Sequence, residues 1–273
     1  MYSNTQGLGF CLGKGFIDLS SSSSIITISP FSTSLKNLAP TISSAQVSDA
    51  IMYEFFNLPI QKYNVELILV NNGSTDNTGH EIKKVIKKNN SKNITIKLVN
   101  LIKNQGYGGG IHEGLKKASG DYIGWSHADL QTPLIDFLKL YNLIKGKKNI
   151  LGKGFRTNNR DFDGIISYFH ENLASLILGV KMKEINAQPK IFNKELIKNF
   201  SNIPRNWTTL DTYILFNCSK RNVKIKTINV VFNKRKHGQS KWKNNLINFI
   251  SHIVFNFLYL FKLRFFNNNN NVK

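Results

Sequence analysis

Through the middle of this chain the apolar positions switch repeatedly between continuous runs and helical stripes. Val65-Glu66-Leu67-Ile68-Leu69-Val70 is the strongest strand, an apolar run closed by the polar turn Asn71-Asn72-Gly73-Ser74-Thr75-Asp76. A Lys-rich helix over about 77–90 follows, and Ser74 or Asp76 can cap it. The pattern then predicts a strand over 94–99, a Gly-rich turn over 104–110, a helix over 111–118 and a strand over 121–126. Strand and helix in alternation predict an α/β fold, a mostly parallel sheet wound by right-handed crossovers and flanked by helices. Ligands of such sheets sit beyond the carboxyl ends of the strands. The polar clusters at 71–76, 104–110 and 126–133 all fall there.

The flanks are less regular. Residues 1–24 are rich in Gly and Ser and read as an irregular extension; their glycines lack the preceding strand and the Lys-Ser/Thr ending of a phosphate loop. Ile25-Ile26-Thr27-Ile28 reads as a short strand stopped by Pro30, and 34–58 as helical. Further on, Ile150-Leu151-Gly152 reads as a strand, 164–178, 193–199 and 207–219 as helices, and 223–232 as a strand, followed by a polar loop over 233–243.

The stretch Leu246 to Phe261 carries no charge. Wound at about 100° per residue, it gathers Asn248, Ser251, His252 and Asn256 on one arc, with Phe249, Ile250, Ile253, Val254, Phe257 and Leu260 largely opposite. That is an amphipathic helix suited to lie in a membrane interface, where Lys241, Lys243, Lys262 and Arg264 could meet anionic headgroups. A helix packed on the main domain and a full membrane span are the alternatives. The organisation expected is an extension over 1–24, one domain over 25–243, the helix over 244–266 and a disordered Asn-rich tail over 267–273.

Composition narrows the partners. The chain has 273 residues, 41% of them hydrophobic, so a real core is available. It carries 37 Lys and Arg against 16 Asp and Glu, a net charge of +21 that attracts polyanions: nucleic acid, anionic lipid or phosphorylated substrates. The basic residues lack the aromatic interleaving or helix-turn-helix pattern of a nucleic-acid module, so nucleic acid is not the expected partner. Cys11 and Cys218 make no metal or redox spacing and read as free thiols of a reducing compartment. No secretory signal is evident, so a cytoplasmic location is expected.

The chemistry concentrates in Ser126-His127-Ala128-Asp129-Leu130-Gln131-Thr132-Pro133. It delivers a carboxylate and an amide to a strand's carboxyl end, where hard oxygen ligands on a rigid element fix a divalent ion. Three further segments stand in order around it: Val70 to Asp76; Asn104-Gln105-Gly106-Tyr107-Gly108-Gly109-Gly110 with Gly114-Leu115 and Ala118 to Tyr122; and Arg235-Lys236-His237-Gly238-Gln239-Ser240-Lys241-Trp242. Together they resemble the family 2 glycosyltransferases of the GT-A (nucleotide-diphospho-sugar transferase) fold, and most of all their polyprenyl-phosphate, dolichol-phosphate-mannose-synthase-like branch. The resemblance spans about 25–243.

That resemblance implies a metal-dependent transferase with a nucleotide-diphosphate sugar as donor and a Mg²⁺ or Mn²⁺ cofactor. A divalent cation would neutralise charge growing on the leaving diphosphate. Asp129 is the first choice of ligand and of catalytic group, with Gln131 assisting and Ala128 beside it. His127 stands where the family carries an acid; it could ligate Mn²⁺ or hydrogen-bond a donor phosphate or ribose. Asn71, Asn72, Gly73 and Asp76 are expected to contact base and ribose, although Asn-Gly is also plain turn chemistry. Asn104, Gly106, Gly109 and Gly110 are expected to let the backbone approach the donor. Pro30 stands where the family has a Pro-x-Tyr-Asn-Glu strand end; the Asn-Glu pair is missing, which leaves an inactive homologue open.

Arg156, Arg160, Gln188, Lys190, Arg235 and Lys241 are the candidates to hold an acceptor phosphate. A phosphate needs no base, whereas a saccharide or protein hydroxyl does, and Asp211 is the best carboxylate for it. Asp211 could equally orient a nearby cation. The expected reaction is inverting transfer of a sugar to a lipid-linked phosphate at the cytosolic face of a membrane.

Overall fold

The computed structural model describes residues 10–12, 16–18, 25–28, 51–61, 63–74, 78–88, 93–126, 131–158, 161–198, 200, 204, 209–233 and 246–265. The strands are β1 (Phe10–Leu12), β2 (Phe16–Asp18), β3 (Ile25–Ile28), β4 (Val65–Asn72), β5 (Ile94–Leu101), β6 (Tyr122–Trp125), β7 (Ile150–Arg156), β8 (Lys190–Asn193) and β9 (Lys224–Val230). The helices are α1 (51–56), α2 (Thr78–Lys88), α3 (Gly106–Leu115), α4 (Ile135–Ile144), α5 (Asp161–Leu178), α6 (Lys194–Lys198), α7 (Thr209–Lys220) and α8 (Leu246–Phe265).

A seven-stranded sheet runs in the order β5-β4-β2-β6-β8-β7-β9. β4 and β5 pair in parallel, as do β7 and β9; β2 lies antiparallel between β4 and β6, and β8 antiparallel between β6 and β7. Five strands (β4, β5, β6, β7 and β9) therefore share one direction, and the sheet is mostly parallel in sense. The reversed β8 has a consequence for chemistry. Its first residue, Lys190, comes to the edge where its neighbours end.

Period-two alternation divides the core. Val65, Leu67 and Leu69 of β4 face α1, α2 and α4, while Ile68 and Val70 face α3. Tyr122 and Ile191 belong to the first layer; Ile123, Trp125, Leu151 and Phe192 belong to the second, against α3, α5 and α7. All eight residues of β4 are buried, which explains its unbroken apolar run. Glu66 is the exception in chemistry: its carboxylate accepts from Ser119 N–H at 3.2 Å and Ser119 Oγ at 2.9 Å, and pairs with Lys97.

Several elements depart from the pattern. The extension expected to be irregular contributes β1 and β2, and β3 pairs in parallel with β1 rather than within the seven-stranded sheet. Strands of three or four residues give too short an alternation to register. The expected turn over 104–110 is helical from Gly106, because Tyr107, Gly108, Gly109, Gly110 and Ile111 are buried and small residues let α3 lie close on β4. α4 and β8 carried no expectation. Pro30 and the tail over 267–273 lie outside the described residues.

The long C-terminal helix α8 docks by one end. Leu260 and Leu263 are buried, and Arg264 Nη1 donates to Leu178 O at the end of α5 at 2.8 Å. Ile250, Ile253, Val254, Phe255, Phe257, Leu258 and Phe261 remain exposed, as do Ile165, Tyr168, Phe169 and Leu176 of α5. Among the described residues no helix is long and apolar enough to cross a membrane.

Candidate active site

The carboxyl ends of β4, β6, β7 and β9 and the amino end of β8 bring most of the described candidates to one edge. They do not all serve as expected. Asn72 is fully buried: its Nδ2 donates to Gly106 O at 2.8 Å, and its Oδ1 accepts from Gln105 N–H at 2.9 Å. Asn71 Nδ2 donates to Asn100 Oδ1 at 3.1 Å, and Asn71 Oδ1 accepts from Ser74 N–H at 3.2 Å. Both amides thus build the scaffold, and Asn72 clamps the turn at 105–106. Gly73, at φ 72°, lies so close to the next turn that a Cβ there would sit 2.3 Å from Asn104 N. Asn104 Oδ1 accepts from Gly106 N–H at 2.8 Å. Gly109 and Gly110 are buried inside α3.

His127, Ala128 and Asp129 lie outside the described residues, but both ends of their segment are placed. Ser126, at the end of β6, and Thr132 are buried, and the hydroxyl oxygen of each has no hydrogen-bond partner among the described residues. Gln131 Nε2 donates to Asn233 O at 3.1 Å, and Asn233 N–H donates to Gln131 O at 2.8 Å. Asn158 makes the same kind of clasp on Phe232, with bonds of 2.8 and 2.9 Å. Residues 232 and 233, just beyond β9, are thus held along this edge. Asp76, Arg160, Arg235 and Lys241 lie outside the described residues.

The structure brings Arg156, Gln188, Lys190 and Asp211 together. Lys190 is fully buried; its Nζ lies 2.7 Å from Asp211 Oδ1, donates to Ala187 O at 2.8 Å and sits 6.0 Å from the Trp125 ring. Burial pushes its ammonium below the usual lysine range, and the Asp211 carboxylate opposes that shift. Gln188 Nε2 donates to Tyr107 Oη at 2.5 Å and reaches Asp211 Oδ1 at 3.5 Å, while its buried Oε1 has no partner among the described residues. Arg156 Nε pairs with Glu184, its guanidinium lies 5.7 Å from the Phe232 ring, and its buried Nη2 has no partner among the described residues. A buried guanidinium with one unfilled donor is a means of gripping an oxyanion. Lys153, Glu184 and Tyr107 were not foreseen; a lysine inside a strand that faces a helical layer was the available signal.

A sequence model described as glycosyl transferase family 2 matches residues 28–212, well over half of the chain. The chain belongs to glycosyl transferase family 2. Among curated family 2 relatives it is 27% identical over 182 residues to a dolichyl-phosphate beta-glucosyltransferase of Dictyostelium discoideum, covering 62% of this chain and 55% of that one. It is 29% identical over 136 residues to a dodecaprenyl-phosphate galacturonate synthase of Rhizobium johnstonii, covering 49% and 39%. The chain spans about half the length of the first of these. Its fold is that of glucosyl-3-phosphoglycerate synthase from Mycobacterium tuberculosis, solved with Mn²⁺, UDP-glucose and phosphoglyceric acid: TM-score 0.60, 17% identity, 88% of this chain and 79% of that one. The GT-A architecture expected from the sequence is borne out.

Proposed function

We propose that this family 2 member transfers a sugar, with inversion, from a nucleotide-diphosphate donor to a polyprenyl phosphate. The observation that carries the reading is the buried cationic site at the carboxyl edge. Arg156 presents an unfilled donor there, and Lys190 is held in place by Asp211 and Ala187 O. Cations so deeply desolvated suit an anionic acceptor, whose phosphate is already a nucleophile. The relatives named for dolichyl and dodecaprenyl phosphate support the same class of acceptor.

A hydroxyl acceptor is less well supported. Asp211 is buried, and its Oδ1 is engaged by Lys190 and within reach of Gln188, which suits the alignment of a cation better than proton abstraction. Gln188 lines the acceptor side, and Arg235 and Lys241 would approach along the exit held by Asn158 and Gln131.

The donor side is built for a divalent ion in the chemistry of its oxygens. The unpartnered hydroxyls of Ser126 and Thr132 flank the segment that carries Asp129, and the Gln131 amide is fixed beside it. Asp129 would hold Mg²⁺ or Mn²⁺, with Gln131 and His127 contributing, and the bound ion would supply charge neutralisation for the leaving diphosphate. Gly73, Asn104 and Gly106 would shape the donor cleft around it, and Asp76 is a further candidate to contact the donor.

Domain 25–243 carries the transfer, and the apolar faces of α5 and α8 rest on the cytosolic face of a membrane, where the lipid acceptor resides. A screen of UDP- and GDP-sugars with and without polyprenyl phosphate tests the reading. Lipid-linked product formed only with the acceptor supports it; nucleotide-sugar hydrolysis without transfer contradicts it, and no turnover with any donor marks an inactive homologue.

A further inference from the structure

Lys153 in the middle of β7 has no part in the reaction as described. It is 2% exposed, at a strand position facing the layer of α5, where apolar side chains ordinarily sit. Its Nζ donates to Lys183 O at 2.9 Å. The segment that starts at Lys183 governs both cations of the acceptor site: Glu184 pairs with Arg156, and Ala187 O accepts from Lys190 Nζ. Glu184 holds φ 51°, a left-handed conformation that persists in a non-glycine residue only where its surroundings fix it. Lys153 also stands directly across the strand pair from Lys190.

We infer that Lys153 is a positioning residue for an anionic acceptor, pinning through the Lys183 carbonyl the segment that orients Arg156 and Lys190. This rests on the phosphate-acceptor reading above. The charged groups around it are Lys190 from β8, Arg156 at the end of β7, Glu184 from the segment and Glu171 from α5. Burial first, and Lys190 next, bring the Lys153 amine down to about 7, with Glu184 opposing. A phosphate dianion beside Arg156 and Lys190 favours the protonated amine. The affinity that Lys153 contributes therefore falls as pH rises through about 7.

The test compares the full chain with Lys153→Met by calorimetric binding of farnesyl phosphate from pH 6 to pH 8.5. Measuring both proteins in parallel cancels the probe's own titration, and UDP binding and thermal melting report the fold. The variant is expected to melt no lower than wild type, to bind UDP equally, and to bind farnesyl phosphate about tenfold more weakly at pH 6, a gap that narrows towards pH 8.5. Lys153→Gln keeps a donor for Lys183 O but carries no charge, so it recovers only the hydrogen-bonded part of the affinity and follows the Lys153→Met pH profile. Equal farnesyl phosphate affinity in all three proteins at every pH overturns the role of Lys153 and leaves the acceptor reading standing. A wild type that does not bind the probe overturns both. Loss of fold in both variants overturns the positioning role in favour of a purely structural one.

Discussion

Replacing Asp211 with leucine strands a charge. Lys190 is 0% exposed, and its Nζ then keeps Ala187 O, the face of Trp125 and the more distant Glu184 carboxylate among the described residues. Breaking a buried ion pair from one side costs about 3–5 kcal/mol, because the remaining ion stays desolvated without compensation. For a chain of this size that corresponds to a fall in Tm of about 10 °C. Removing both charges is different: Asp211→Leu combined with Lys190→Met leaves an apolar pair of similar volume, and stability returns to within about 1 kcal/mol of wild type. Urea unfolding of the two single variants and the double closes the cycle, with an expected coupling of at least about 2 kcal/mol. Acceptor kinetics of Asp211→Asn add the functional half. If Asp211 holds Lys190, acceptor KM rises more than kcat falls; if it is a general base, kcat collapses with acceptor binding intact. A cost below about 1 kcal/mol for Asp211→Leu, or a double variant no better than the sum of the singles, refutes the reasoning.

Stability should also follow the buried amine of Lys153. Its folded value is depressed to about 7 while the unfolded chain keeps an ordinary lysine at 10.5. Between those values the unfolded state binds the extra proton, so wild type gains stability over Lys153→Met as pH rises, by about 1.4 kcal/mol per pH unit at most; a flat difference from pH 7 to pH 10 contradicts the assignment. Asn72→Ala leaves Gly106 O and Gln105 N–H without their partner and should cost about 2 kcal/mol in urea unfolding, where an effect under about 0.5 kcal/mol denies the clamp. Ile253→Glu with Phe257→Glu on the exposed part of α8 should reduce sedimentation with anionic vesicles while leaving helix content unchanged; undiminished sedimentation removes α8 from the membrane contact.

The long parallel elements were legible because their signals are strong and local. β4 announces itself by an apolar run ending in a polar turn, and α2, α5, α7 and β9 sit where periodicity puts them, within a few residues. α4 follows Pro133 and went unread although Asp136, Lys139 and Asn142 recur at helical spacing, and β8 is a four-residue strand reversed by long-range pairing. Site residues divide the same way. Arg156, Gln188, Lys190 and Asp211 were named from sequence and do converge, yet the partners that fix them, Tyr107, Glu184 and the Ala187 carbonyl, depend on loops meeting across the sheet. Asn71 and Asn72 show the opposite limit. The residue type is equally good at recognising a nucleotide and at fastening a turn, and the hydrogen bonds to Gly106 O, Gln105 N–H and Ser74 N–H that show the fastening depend on loops the sequence does not place.

The central claim is that Asp129 seats the divalent ion that makes sugar transfer to a lipid phosphate possible. The most direct measurement is the rate of polyprenyl-phosphate glycosylation by wild type and Asp129→Asn across a Mn²⁺ and Mg²⁺ titration, with thermal melting as a control for the fold. The account predicts metal-dependent transfer by wild type and a loss of about 100-fold or more in the variant at unchanged Tm. Transfer by Asp129→Asn within about threefold of wild type, with the same metal dependence, contradicts it.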